Sequence, residues 1–247
     1  MALTVLRTYA TTNPAKIPPS ILFSHSQTSL TIYDAFPKAI FHFLILPRVQ
    51  EPYTVSELSD LRTLLGDKAR AKQVITALHE EAKCLHKEIE EEMMNRYGFK
   101  WGIWTGFHGA PSMTYLEFSH IVVDIGLIDI RHLHLHVLSD DLLSDRMKNK
   151  KHYNSFHPKL GFFLDIDEVL SWFDAEDSYY KSMAKLDPKH YEPMLKGDLA
   201  CWRCNTGMKN IPALKSHLEE EWHAQAKREK DKIERRRKLE ERSGNKE

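Results

Sequence analysis

His132-Leu133-His134-Leu135-His136-Val137-Leu138 decides the reading of this chain. Three histidines alternate strictly with apolar residues. On a β-strand, successive side chains point to opposite faces, so His132, His134 and His136 share one face. Leu133, Leu135 and Val137 then enter a core from the other. Packing alone gives no reason to line up three imidazoles, so the pattern points to a metal site or a nucleophile. Strand ligands at i and i+2 could hold zinc, but they would need further ligands and a supporting shell.

Around that strand lies a chain of 247 residues with 42% hydrophobic content, enough for one large domain or for one medium domain plus a small module. Lys+Arg of 35 balances Asp+Glu of 35, so net charge does not argue for a nucleic-acid partner, and distribution matters more. The first acidic residue is Asp34. The acid-free start faintly resembles a transit peptide, but its direct continuation into the fold favours an ordered segment. No apolar run of about 18 residues exists, so no membrane span is expected. Cys201 and Cys204 form a C-x-x-C pair and Cys84 stands alone, usage that suits a reducing compartment.

Residues 1–10 read as a short helix stopped at Asn13-Pro14. Leu30 to Phe36 and Ala39 to Leu46 read as two strands joined at Pro37-Lys38. Thr54 or Ser56 is placed to cap a short helix through Leu65. Asp67 to Arg96 reads as a long helix, with Val74, Leu78, Leu85, Ile89 and Met93 on one stripe and Gly98 ending it. Its glutamates, Glu80, Glu81 and Glu90 to Glu92, read as a solvated face. Phe99 to Phe107 reads as a strand, Lys148 to Phe156 as a polar basic loop, and Gly161 to Ile166 as a last strand. A helix capped by Asp167 follows. Residues 174–198 read as a linker, and 227–247 as a solvated charged helix or disorder.

Cys201-x-x-Cys204 followed by His217 has the spacing of a zinc finger. Pro212 is placed to start the helix carrying His217. A fourth ligand must share the face of His217, which favours Glu221 at i+4; His223 at i+6 is the alternative and could ligate only if the helix broke.

The stretch His132–Leu138 fills every position of the His-φ-His-φ-His-φ-φ signature, φ being apolar, and so resembles the histidine-triad nucleotide hydrolases and transferases. In that superfamily the middle histidine attacks a nucleotide phosphorus without a metal, which makes His134 the expected nucleophile. Asp34-Ala35-Phe36-Pro37-Lys38-Ala39, with His42 and Leu44-Ile45-Leu46-Pro47, is similar to the superfamily's nucleotide-pocket hairpin. Gly106-Phe107-His108-Gly109-Ala110-Pro111-Ser112-Met113 and Lys148-Asn149-Lys150-Lys151-His152-Tyr153-Asn154-Ser155-Phe156 resemble the aprataxin segments before and after the triad. With the finger, the resemblance covers about residues 1–223 and is to the short type of aprataxin.

That resemblance implies an α/β (α+β) histidine-triad fold, an antiparallel sheet with helices. It implies a catalytic domain over 1–173, a linker over 174–198, a finger over 199–226 and a tail over 227–247. The implied activity is removal of AMP from 5′-adenylated DNA ends through a covalent His–AMP intermediate, in the nucleus. His132 and His136 would assist His134, Ser112 would donate to a phosphate oxygen, and His108 would contact the leaving phosphate and supply a proton. Ile32, Asp34, Phe36, Lys38 and His42 would line the adenosine pocket, with His42 the weakest of these because it lies in a core-like strand. Leu3, Lys148, Lys150, Lys151 and the finger would contact DNA, His152 and Tyr153 offering a stacking surface. One structural Zn2+ would be held by Cys201, Cys204, His217 and Glu221. Two rival readings remain: a histidine-triad hydrolase of small nucleotides, and a zinc-finger DNA-binding protein with an inactive catalytic domain.

The chain departs from the family at Thr114 to Arg131, which separate Ser112 from the triad. Deleting Tyr115 to Arg131 would give Pro-Ser-Met-Thr-His-Leu-His-Leu-His-Val, close to the family pattern. The segment reads either as a translated retained intron or as a lineage-specific insertion. It is rich in Ile, Val and Leu and poor in turn residues.

Overall fold

The computed structural model describes residues 2–110 and 132–244. Ser112 and the segment 114–131 lie outside these residues. Six strands form one antiparallel sheet in the order β1-β2-β3-β5-β4-β6. They are β1 (Leu22–His25), β2 (Ser29–Tyr33), β3 (His42–Pro47), β4 (Ile103–His108), β5 (Leu135–Ser139) and β6 (Phe163–Asp165). The strand carrying the triad is therefore central, between β3 and β4. It starts at Leu135, so His136 lies within the ladder while His132 and His134 lead into it. The expected strand over 39–46 begins only at His42, because residues 34–41 bend out of the ladder between β2 and β3.

One face of the sheet is covered by α3 (Lys68–Tyr97) and α5 (Ile166–Trp172). Helix α3 buries Val74, Leu78, Leu85, Ile89 and Met93, the stripe expected at helical spacing. Each such side chain contributes about 1.5–3 kcal/mol over its exposed state. The carboxylate of Asp67 accepts from the amides of Ala69 and Arg70 at the helix start. At the other end Gly98, at φ 76°, adopts the left-handed conformation that closes a helix most cheaply with glycine. Leu133, Leu135 and Val137 join this core with Phe43 and Ile45.

The opposite face is covered at its two sides. Helix α1 (Ala2–Thr11) lays Leu6 and Tyr9 over Leu30, Ile32, Leu44 and Leu46. On the other side, α4 (Lys150–Asn154) and the C-terminal part bury Leu138, Phe156 and Phe163 with Cys201, Leu214 and Leu218. The strip of sheet between these two clusters carries the histidines.

Several local expectations are corrected. The short helix α2 (Leu61–Leu64) is capped by Asp60, whose carboxylate accepts from Thr63. Thr54 closes its own turn with Glu57 instead. Asp165, not Asp167, caps α5. The basic stretch 148–156 is largely α4, capped by Asn149, with Tyr153, Asn154 and Phe156 buried. Residues 174–198 are not a loose linker. They hold α6 (Asp177–Met183) and α7 (Pro188–Tyr191), with Tyr180, Leu186, Tyr191 and Leu195 in the main core. The tail continues the finger helix as α8 (Ile211–Gly244). No helix of the described residues is long and apolar enough to cross a membrane.

Candidate active site and metal centre

Pairing of β3 with β5 sets Leu44 opposite His136 and His42 opposite Leu138. Strand alternation brings His42 and His136 to the same face as diagonal neighbours. Pairing of β4 with β5 sets Gly106 opposite His136. A Cβ at Gly106 would stand 2.3 Å from the Leu164 carbonyl oxygen, so only glycine lets β4 approach β6 this closely. His108, two residues on, packs its ring 4.5 Å from that of His136. Phe156 touches the rings of His42, His108 and His136 at 5.3, 4.8 and 5.1 Å and holds all three imidazoles in place.

The hydrogen bonds fix the tautomers. His42 Nδ1 accepts the Lys38 amide at 3.0 Å, so in neutral His42 the proton sits on Nε2. That Nε2–H donates to His136 Nδ1 at 3.1 Å, with Asp34 Oδ2 beside it at 3.4 Å. His136 must then carry its own proton on Nε2, which is buried and unpartnered among the described residues. A buried N–H without an acceptor costs about 1–3 kcal/mol unless a ligand supplies one. His134 is set the opposite way. Its Nδ1–H donates to the His132 carbonyl at 2.9 Å, which leaves the lone pair on Nε2. His132 is pinned by its own Nε2–H donating to the Pro47 carbonyl at 2.7 Å.

Burial holds all these rings neutral. It pushes His42 and His132 down to about 4. It lowers His136 and His108 well below the ordinary histidine range. His134 is lowered by burial too, although its bond to the His132 carbonyl and the Asp34 carboxylate act the other way. The backbone of Ser155 hydrogen-bonds His108, while its Nε2 is unpartnered. The unpartnered Nε2 is the nitrogen left to meet a ligand. Asp34, His42 and His136 also lie close enough to surround a cation, but the hydrogen-bond chain already occupies the ring nitrogens that would bind it.

The pocket hairpin has a defined shape. Asp34 Oδ1 accepts the Phe36 amide at 2.6 Å, and the buried Lys38 ammonium donates to the Phe36 carbonyl. Phe36 is half-exposed, with the Arg146 guanidinium 5.9 Å from its ring. Ile32 is buried beneath α1 on the histidine face. Leu3 lies on α1, and its side chain falls outside the described residues. Lys150 faces Asp198 at 3.8 Å. Lys148 and Lys151 are exposed, His152 bonds back to Asn149, and Tyr153 is buried and offers no stacking surface.

Residues that patterning did not single out tie the site together. The buried carboxylate of Asp141 accepts from the Ile40 amide at 2.9 Å, Trp101 Nε1 at 3.0 Å, the Leu143 amide at 3.0 Å and the Ser139 hydroxyl. It locks the hairpin to the end of β5. Next to it, Asp140 pairs with Arg203 of the finger knuckle at 2.8 Å. A Ser-Asp-Asp run after an apolar strand looks like an ordinary turn, and only long-range partners distinguish it.

The finger is docked, not tethered. Tyr153 donates to the Ala200 carbonyl and accepts the Trp202 amide, both at 2.9 Å. Trp202 packs edge-on against Trp104 at 4.7 Å. Asn154 donates to the Gly197 carbonyl at 3.0 Å. The Cys201 thiol, the Cys204 thiol and His217 Nε2 lie within 4.8 Å of one another, a spacing that a zinc ion could bridge. Hydrogen bonds from Thr206 pull the Cys204 thiol down to about 7, toward the thiolate that binds metal. Glu221 Oε1 lies 3.8 Å from His217 Nε2, whereas His223 turns to Glu219 and the Trp222 ring. The donor set therefore fits a structural zinc.

Comparison with known proteins agrees with this geometry. Residues 159–224 match the C2HE / C2H2 / C2HC zinc-binding finger family. An aprataxin-like protein of Drosophila melanogaster is 29% identical over 201 residues, 81% of this chain and 24% of its own length. An aprataxin-like protein of Saccharomyces cerevisiae is 26% identical over 239 residues, 89% of this chain and 95% of its own. The chain spans less than half the length of several animal and plant relatives. The crystal structure of the aprataxin ortholog Hnt3 in complex with DNA superposes with a TM-score of 0.63 at 21% identity, over 92% of this chain and 98% of that one. Central histidine strand, pocket hairpin and docked knuckle define a protein of the histidine-triad fold with a C-terminal zinc finger. The chain is similar to aprataxins and aprataxin-like proteins of several species.

Proposed function

We propose that the chain hydrolyses 5′-adenylated DNA ends, releasing AMP and restoring the 5′-phosphate. The observation that carries this reading is the opposed tautomers of neighbouring rings. His134 presents a lone pair on Nε2, and His136 presents an N–H with no acceptor. A nucleophile beside an unsatisfied donor suits attack on a phosphorus whose oxygens gain charge in the transition state.

In the first step the His134 Nε2 lone pair forms a bond to the AMP phosphorus. The bond from phosphorus to the bridging oxygen breaks, and the DNA 5′-phosphate leaves with that electron pair. In the second step a water oxygen attacks the same phosphorus, the P–N bond breaks, and the lone pair returns to His134. His136 Nε2–H stabilises the phosphoryl oxygens, and His132 holds the main chain that orients His134. His108 Nε2 is suited to take the proton of the attacking water. Ser112 donates to a phosphate oxygen, and Ile32, Asp34, Phe36, Lys38 and His42 shape the adenosine pocket. The Asp34 carboxylate is suited to ribose hydroxyls.

Zinc, bound by Cys201, Cys204, His217 and Glu221, would hold the knuckle in shape. The finger, Lys148, Lys150, Lys151 and Leu3 would engage DNA, with the nucleus as site of action. The aprataxin ortholog Hnt3 was solved in complex with DNA, which supports a nucleic-acid substrate here. Turnover of an adenylated nicked duplex against a nucleoside phosphoramidate tests the reading. Preference for the duplex supports it, and turnover of the phosphoramidate alone favours a small-nucleotide hydrolase. DNA binding without turnover of either would indicate an inactive catalytic domain.

A further inference from the structure

We infer that the distal half of α8 carries a phosphate-contacting arginine line that extends the DNA footprint beyond the finger; this rests on the DNA-end reading above. Ala226 is the last buried residue among the described residues of the helix, and one turn on the Lys230 ammonium still lies over the Phe99 ring of the body. Every described residue from 231 onward is exposed. Most acidic side chains there are committed within the helix: Glu229 to Lys232, Glu234 to Lys238, Glu240 to Arg236 and Glu241 to Arg237.

Arg228, Arg235 and Arg242 enter no ion pair among the described residues and are all exposed. They recur every seven residues, about 20° short of two full helical turns, so they form a nearly straight line about 21 Å long. That line begins seven residues after Glu221 and continues the side of the helix that faces the metal knuckle. Asp231 is the acidic group nearest to it, three residues from Arg228 and four from Arg235, and pairs with neither.

A protein partner on this segment would need an apolar seam. Ile233 and Leu239, its exposed apolar side chains, stand about 120° apart on the helix and make none. Three exposed guanidiniums at regular spacing on a rigid helix, beside a finger on the substrate duplex, fit the duplex backbone.

The test is a salt titration of full-length protein on a long adenylated nicked duplex. It compares wild type with Arg228→Gln/Arg235→Gln/Arg242→Gln and with the corresponding Arg→Lys triple variant. Gln keeps helix propensity, and circular dichroism checks the helix. The Gln variant should lower the slope of log K against log salt by about 2.7, at about 0.9 per lost phosphate contact. The Lys variant should keep most of the slope, Asp231→Asn should strengthen binding, and turnover of a small adenylated compound should be unchanged in all of them. An unchanged slope in the Gln variant, or equal loss in the Lys variant, overturns the arginine line and leaves the DNA-end reading intact. Wild-type protein that fails to bind the duplex overturns both.

Discussion

His42 Nε2 lies 3.1 Å from His136 Nδ1, and this contact makes His42 the residue that sets the proton on His136. The Lys38 amide fixes one nitrogen of His42, and His42 in turn fixes His136, so a backbone N–H decides the state of a ring two hydrogen bonds away. His42→Ala should therefore act on chemistry more than on binding. Removing a donor at a developing charge costs about 10²–10³ in kcat. We expect a fall of that order with a much smaller change in KM. His42→Asn, which can still donate an N–H, should recover part of it. A variant changed only in KM would show that His42 merely lines the pocket.

Acid should destabilise the fold through the same rings. His42 and His132 titrate near 4 in the folded chain against an ordinary 6.5, so folding favours their neutral forms. Their contribution is complete above pH 6.5 and is lost as pH falls through 6.5 toward 4. Urea midpoints measured across that range should fall steadily for wild type. His132→Gln should fall less steeply, and parallel slopes would contradict the assignment.

Asp141 should be worth more to stability than its turn-like sequence suggests. Asp141→Ala strands Trp101 Nε1 in a buried setting and the Ile40 and Leu143 amides in a half-buried one. At about 1–3 kcal/mol for each unsatisfied group, a loss of roughly 3 kcal/mol or more is expected. Chemical denaturation measures it directly, and a loss below about 1 kcal/mol would mean that water replaces the carboxylate.

Zinc removal should disturb more than the finger. Cys201, Leu214 and Leu218 share one apolar cluster with Leu138 and Phe156, and Phe156 braces three site histidines. Chelation or Cys201→Ser should unfold the knuckle and also slow turnover of a small adenylated compound. Glu221→Ala should weaken zinc more than His223→Ala, since Glu221 faces His217. Zinc affinity of the two variants, read by competition with a chromophoric chelator, decides between them. Full small-substrate activity of metal-free protein would show that the finger and the site are uncoupled.

Patterning exposed what is periodic. The alternation around His134 placed Leu133, Leu135 and Val137 in the core beneath α3, and the stripe from Val74 to Met93 is the buried one. The short strand β1 and the helices within 174–198 carried too few residues per turn or pleat to register. Lys148 to Phe156 looked polar because lysines dominate its composition, yet its aromatic and amide side chains are what anchor the finger. Likewise Asp140, Asp141 and Arg203 act through partners that are far apart in sequence, which no local pattern can reveal.

The most direct measurement is to trap the reaction of wild-type protein with an adenylated nicked duplex and map the adduct by mass spectrometry. The account predicts a single AMP on His134, joined through nitrogen, and absent from His134→Ala although that variant still binds the duplex. An adduct on another residue, or release of AMP by His134→Ala at the wild-type rate, would contradict it.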